Sequence, residues 1–250
     1  TGGKAMLWRG GEARRCGSIM AIILTDIKRM IAYSSVAQTG YIFMGSGLGT
    51  EAGLFAAVFH SLAHAVTKSG LFLIAGSIIE QTHNRRLDKM GGLGFEMPLT
   101  MAMFTIGALS MVGIPLFVGF NSKWNFAMGI MGSGQFWVMA ALAISALLNG
   151  LYYLPIVIRA FFGPEAREKA ANRVSKERPV KDLLPIMILS ALVIGVAIFN
   201  QPFNNQIQAG VSEVWGQAEH VAVHLPEPED DGHGEPADDG HGEPVDDGGH

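Results

Sequence analysis

Three titratable side chains stand four residues apart inside an apolar stretch: His60, His64 and Lys68 in AGLFAAVFHSLAHAVTKSGLFLIAGSIIE, residues 52–80. On a helix, positions i, i+4 and i+8 stack on one face, one turn apart. Histidine exchanges protons near neutral pH. A lysine held away from water loses much of the advantage of its charged form, so it too becomes able to load and release a proton. The row is therefore a candidate proton relay, provided that hydrated space lies beside it. Zinc binding by His60 and His64 is the other chemistry their spacing allows. It lacks a third nearby ligand and the glutamate of HExxH, and Lys68 would repel the cation, so no metal is assigned.

The setting of these residues is a membrane. The chain of 250 residues is 49% apolar and only 16% charged, against the ~25% usual for soluble domains. Residues 97–122, 124–158 and 183–212 carry no charged side chain. A helix needs about 20 mostly apolar residues to cross a bilayer, so the expectation is an all-α polytopic membrane protein. The alternating pattern of a membrane barrel is absent, and nothing points to nucleic acid.

Asp26-Ile27-Lys28-Arg29 forms a charged collar that opens a helix over about 27–48. Ser35, Gln38 and Tyr41 make one side of it polar and are candidates to hold waters beside the relay. A second helix covers 52–80. Residues 97–133 are apolar but interrupted by Gly113, Pro115 and Gly119, followed directly by Asn121-Ser122-Lys123. Broken helices at membrane depth are tolerated where they line a cavity. Lys123 is accordingly a second relay candidate with Asn121 beside it; the alternative is a lysine snorkelling to the headgroups. Residues 135–161 form a further crossing with Asn149, Tyr152 and Tyr153 as interior polar groups, and 182–203 the last one. Between them runs a charged linker, 163–181.

Residues 204–225 have the spacing of an amphipathic helix on the membrane surface. Residues 226–250 repeat DDGHGEP twice and hold ten acids with no Lys or Arg, the composition of a disordered tail. Its His233, His241 and His250 read as solvated residues, with weak binding of divalent cations together with the ten acids as the alternative. At the other end, residues 1–25 read as a basic, Gly-rich stretch with a truncated helix, because the apolar run 17–25 is short for a crossing.

All but two of the 18 Lys and Arg fall in 1–29, 85–89 and 159–181; the exceptions are Lys68 and Lys123. The positive-inside rule then places these segments on the cytoplasmic side of an inner (cytoplasmic) membrane and the acidic tail outside. The single Cys16 cannot ligate an iron–sulfur cluster, so no redox cofactor is expected on this chain.

DIKRMIAYSSVAQTGYIF (26–43), FHSLAHAVTKSGLFLIAGSI (59–78), MGGL (90–93) and GIPLFVGFNSKW (113–124) are similar to the antiporter-like proton-translocating membrane subunits. This family serves respiratory complex I (NADH:quinone oxidoreductase), membrane-bound hydrogenases and Mrp-type cation/proton antiporters. The resemblance implies that residues 26–162 are the second of two inverted five-helix repeats, with its broken helix, followed by the last transmembrane helix. It implies a proton relay through His60, His64, Lys68 and Lys123, no cofactor on this chain, and other membrane subunits of a multi-subunit complex as partners. The family's first repeat, and a full helix ahead of the collar, are not seen in these residues. The expected function is proton conduction in a redox-driven complex. The alternatives are a subunit of an Mrp-type Na⁺ (K⁺)/H⁺ antiporter and a non-transporting structural fragment.

Overall fold

A computed structural model describes residues 2–172 and 175–223; the acidic repeat tail lies outside them. The described residues form α1 (Gly2–Ile23), α2 (Ile27–Gly47), α3 (Glu51–Thr82), a 3₁₀ turn (Leu87–Lys89), α4 (Leu93–Glu96), α5 (Pro98–Val112), α6 (Val118–Ser133), α7 (Phe136–Phe161), α8 (Pro164–Asn172), α9 (Val180–Ile198) and α10 (Asn200–Val223). Three helices are long and apolar enough to cross a membrane, namely α3, α7 and α9, with α5 a shorter apolar one. The bundle is that of an integral, polytopic helical membrane protein. α3 occupies its centre, with α2, α5, α6, α9 and α10 packed around it.

The N-terminal stretch corrects the reading of a truncated helix. α1 runs 22 residues, about 33 Å at 1.5 Å per residue, which matches the ~30 Å hydrocarbon core. Its polar composition hides a packing code. Gly3, Gly10 and Gly17 recur every seven residues on α1, and Gly40 and Gly47 do so on α2. A β-carbon on Gly10 would lie 2.7 Å from the Gly40 carbonyl oxygen, and one on Gly17 only 2.5 Å from the Ala37 nitrogen. Lipid tails are as apolar as side chains, so helices in a bilayer associate through close backbone packing, and glycine permits it. The same contacts make α1 antiparallel to α2: Gly3 lies against Gly47, and Gly17 against Tyr33 and Ala37. Lys4 and Arg9 therefore stand at the far end of the bundle from Lys28 and Arg29, not beside them.

The other basic segments do gather at one end. The Ile27 amide donates to the Arg85 carbonyl (3.0 Å) and Leu87 to Thr25 (2.8 Å), closing an isolated bridge between Asp26 and Arg86. Gly92 donates to Arg159 (3.1 Å), and Lys176 to the Glu96 carbonyl (2.8 Å). The linker 163–181 is thus partly helical (α8) and bound to the bundle. Glu96 takes ion pairs from Lys176 (3.0 Å) and Lys169 (3.2 Å). Burial works to raise its carboxyl, but these two ammonium groups outweigh it and hold it below the ordinary carboxylate range. Glu177 caps α5 from a distance. Pro98 offers no N–H in the first turn, and Leu99 and Thr100 donate their amides to the Glu177 carboxylate at 2.7 and 3.2 Å.

The break between α5 and α6 follows from residues 113–116. Gly113 (φ 96°) and Leu116 (φ 81°) both take left-handed backbone, and Gly113 and Ile114 both donate to Leu109. In a continued helix the Met111 carbonyl would accept from residue 115, but Pro115 has no N–H. An acceptor is left open inside the bundle. At the other end, α10 lays Ile207 and Val211 against the bundle, and Gln208 and Ser212 donate to Glu51 at the start of α3.

Candidate functional site

His60, His64 and Lys68 share one face of α3, directed at α2, α6 and α7. Lys68 is 5% exposed. Its ammonium donates to the Ile31 carbonyl (2.9 Å), to the Tyr153 hydroxyl (3.0 Å) and to Ser34 Oγ. Ser34 commits its own proton to Ile31 (2.8 Å), so Tyr153 donates to Ser34 across 3.0 Å. Every N–H of the ammonium thus meets an oxygen, yet among the described residues no carboxylate faces it. A charge at the bilayer centre costs from roughly 2.5–3.5 kcal/mol on insertion scales to far more in simulations, and neutral oxygens offset only part of that. Neutral oxygens, and not an ion pair, hold this side chain.

One turn away, the His64 and His60 rings stack with centroids 6.0 Å apart. His60 Nδ1 sits 2.7 Å from Ser122 Oγ on α6, which fixes the ring, and its Nε2 is buried without a protein partner, as is His64 Nδ1. Both histidines line a cavity of ≈ 10 Å³ together with Gln38, Thr67, Ser110 and Lys123. That is room for about one water, and the two unpartnered ring nitrogens are the kind of polar partners a buried water requires.

Lys123 is half-buried over Gly113, where an added β-carbon would lie 3.0 Å from its Nζ, and it donates to the Met111 carbonyl at 2.9 Å. The break that frees this carbonyl also creates the socket for the lysine. Asn149 on α7 donates to the same carbonyl (3.0 Å), and its own oxygen accepts from Gln38 (3.3 Å) and from Tyr152. Lys123 therefore joins a polar network through this carbonyl.

Two sequence-level candidates sit elsewhere. Ser35 turns back on the Ile31 carbonyl (3.2 Å) of its own helix. Its neighbour Ser34, about 100° around the helix, meets Lys68 instead. Asn121 donates to Ala197 (3.0 Å) and ties α6 to α9. Gln38 and Tyr41 do face the site, Tyr41 with its ring 5.0 Å from that of His60. Reading the residues missed Ser122, although it is one turn removed from the Val118 start of α6 and adjacent to Lys123. It also missed Arg14, whose guanidinium lies 4.0 Å over the Tyr41 ring. Among the described residues no group of three His, Cys, Asp or Glu is placed to hold a metal ion.

A central helix carrying a histidine–lysine row, next to a broken helix with a lysine at the break, is the arrangement expected of the antiporter-like membrane subunits. Comparison with known proteins is consistent with that class. Residues 13–149 match the family described as NADH:quinone oxidoreductase/Mrp antiporter, TM, and the chain belongs to that family. The chain is 39% identical to NADH-quinone oxidoreductase subunit N of Desulforudis audaxviator over 80% of its own length and 42% of that protein. It is 32% identical to subunit L of Pseudomonas aeruginosa over 80% of this chain and 32% of that protein. It superposes on a chain of the membrane-bound sulfane sulfur reductase, an archaeal respiratory membrane complex, with TM-score 0.78 and 28% identity, covering 89% of this chain and 44% of that one. The chain thus spans less than half the length of each of these relatives.

Proposed function

We propose that this chain carries a proton-conducting half of an antiporter-like subunit in a redox-driven membrane complex, with His60, His64, Lys68 and Lys123 as the relay. The observation that carries the reading is the one-water cavity between His60, His64 and Lys123, with two unpartnered ring nitrogens beside it. A proton on Lys68 passes along the α3 face to His64 and, through the bridging water, to His60 and Lys123. Ser122 holds His60 so that its Nε2 remains free for the exchange. The oxygens around Lys68, and the Met111 carbonyl at Lys123, accept from the ammonium form at either end. Redox centres belong to other subunits. The segments 26–29, 85–89 and 159–181 face the cytoplasm.

Exchange of sodium or potassium, the alternative open to this family, has less support. The groups lining the cavity include two histidines and a lysine but no carboxylate, and Arg14 stands behind Tyr41. Such a set repels a metal cation while it passes a proton. The test is proton uptake by proteoliposomes holding the assembled complex with His64→Ala. A fall of about tenfold or more is expected for loss of a proton-transfer group, with assembly unchanged. Wild-type uptake would remove the relay reading, and uptake that requires sodium would move the assignment to cation exchange.

A further inference from the structure

Between α1 and α7 lies a crevice of ≈ 220 Å³ that the relay does not use. Three buried polar groups line it and lack any protein partner there: Arg14 Nε, Ser18 Oγ and Ser145 Oγ. Their residues are 4%, 0% and 2% exposed. Arg14 spends its other nitrogens on Met44 Sδ (3.2 Å) and the Ala141 carbonyl, and no carboxylate pairs with it among the described residues. A guanidinium cannot shed its charge by losing a proton. The crevice therefore presents a fixed cation with a free N–H, and two free hydroxyls.

The order of these groups along the bundle indicates what fits. Ala141 lies about 7.5 Å along α7 from its start at 1.5 Å per residue, so the guanidinium sits near that end of the bundle. Trp8 and Trp137 stack at the same end, ring centroids 6.2 Å apart and both well exposed, as in the aromatic belt at a membrane interface. Ser18 and Ser145 follow one turn deeper on their respective helices. Beyond them the wall turns apolar with Leu148, and Ile144, 59% exposed, flanks Ser145 on the same helix. A cation at headgroup level, then hydroxyl donors, then an apolar wall is the order in which a glycerophospholipid presents its phosphate, its ester carbonyls and its acyl chains.

We propose that the α1–α7 crevice is a glycerophospholipid site. The phosphate accepts from Arg14 Nε–H, and the ester carbonyls accept from Ser18 and Ser145. The site supplies the counter-charge that the protein withholds from Arg14.

The test uses the full chain with the subunits that co-purify with it, stripped of lipid in detergent and titrated by native mass spectrometry. Phosphatidylglycerol, diacylglycerol and inorganic phosphate are the probes. Phosphatidylglycerol is expected to bind one per chain at this site, and neither the neutral diacylglycerol nor phosphate alone to match it. The double variant S18A/S145A removes hydroxyls that bond nothing in the protein, so it should fold as wild type and bind the lipid about tenfold more weakly. R14Q should bind more weakly still. Undiminished binding in S18A/S145A would overturn the proposal. So would phosphate alone binding as tightly as the lipid, which marks a free-anion site, or an absence of phosphatidylglycerol binding, which marks a crevice filled by another subunit.

Discussion

The two lysines at the ends of the proposed relay are held in opposite ways. Lys68 sits on an unbroken helix, sealed from solvent, with three oxygens around it. Lys123 sits beside a broken helix, half-buried, with one carbonyl that the break at Gly113–Leu116 leaves open. The first is deep and met on every N–H by protein oxygens. The second depends on a local fault in the backbone and can exchange that one bond for water. Intramembrane cations without carboxylates are tolerable only when the surroundings supply oxygens, and this chain uses two different sources of them.

The sharpest way to break the comparison is to remove each lysine in the assembled complex and measure proton uptake. Lys68→Ala is expected to lower the rate about 100-fold and Lys123→Ala about tenfold, because water in the adjoining cavity partly substitutes at the second site and nothing does at the first. Equal losses would mean that the surroundings of the two do not matter. Next in size is Pro115→Ala. It returns an N–H to the Met111 carbonyl and competes with Lys123, so uptake should fall several-fold while the Lys68 end is untouched; an unchanged rate would detach the break from the lysine's role.

A smaller effect lies in stability. Glu96 has its carboxyl held below the ordinary range in the folded chain. Its contribution is complete above the unfolded value of about 4.3 and is lost as pH falls through the folded value below that. Thermal unfolding should therefore show a steeper acid limb in wild type than in Glu96→Gln, and parallel limbs would remove Glu96 from the account. The smallest effect is expected at Ser35→Ala, which should leave uptake within about a factor of two, since its hydroxyl turns back on its own helix (a bond worth ~1 kcal/mol at most). A large loss there would reinstate Ser35 over Ser34.

Much of this was legible before any coordinates. The ends of α2, α3 and α7 fall within about two residues of where hydropathy and the glycine breaks put them, and Gly113-Ile-Pro115 announced the break itself. Interior polar groups at Asn149, Tyr152 and Tyr153 were visible as polar residues on an apolar helix, and all three are buried. What stayed hidden depended on partners remote in the chain. Ser34 and Ser35 are chemically identical, and only the rotation of α2 against α3 selects one. Asn121 looked like a companion of Lys123 until α9, 76 residues on, supplied its acceptor. α1 was concealed by its own charges, since a hydropathy reading has no term for glycines that repeat every seven residues on two facing helices.

That glycine seam also bears on how the protein is made. α1 carries Lys4, Arg9, Glu12, Arg14 and Arg15, too many charges for a segment to partition into lipid unaided. It emerges from the ribosome before α2, the helix whose backbone it fits. Insertion of α1 and α2 together, as a hairpin whose close contact is set by the spacing of five glycines, is therefore the expected route into a bilayer.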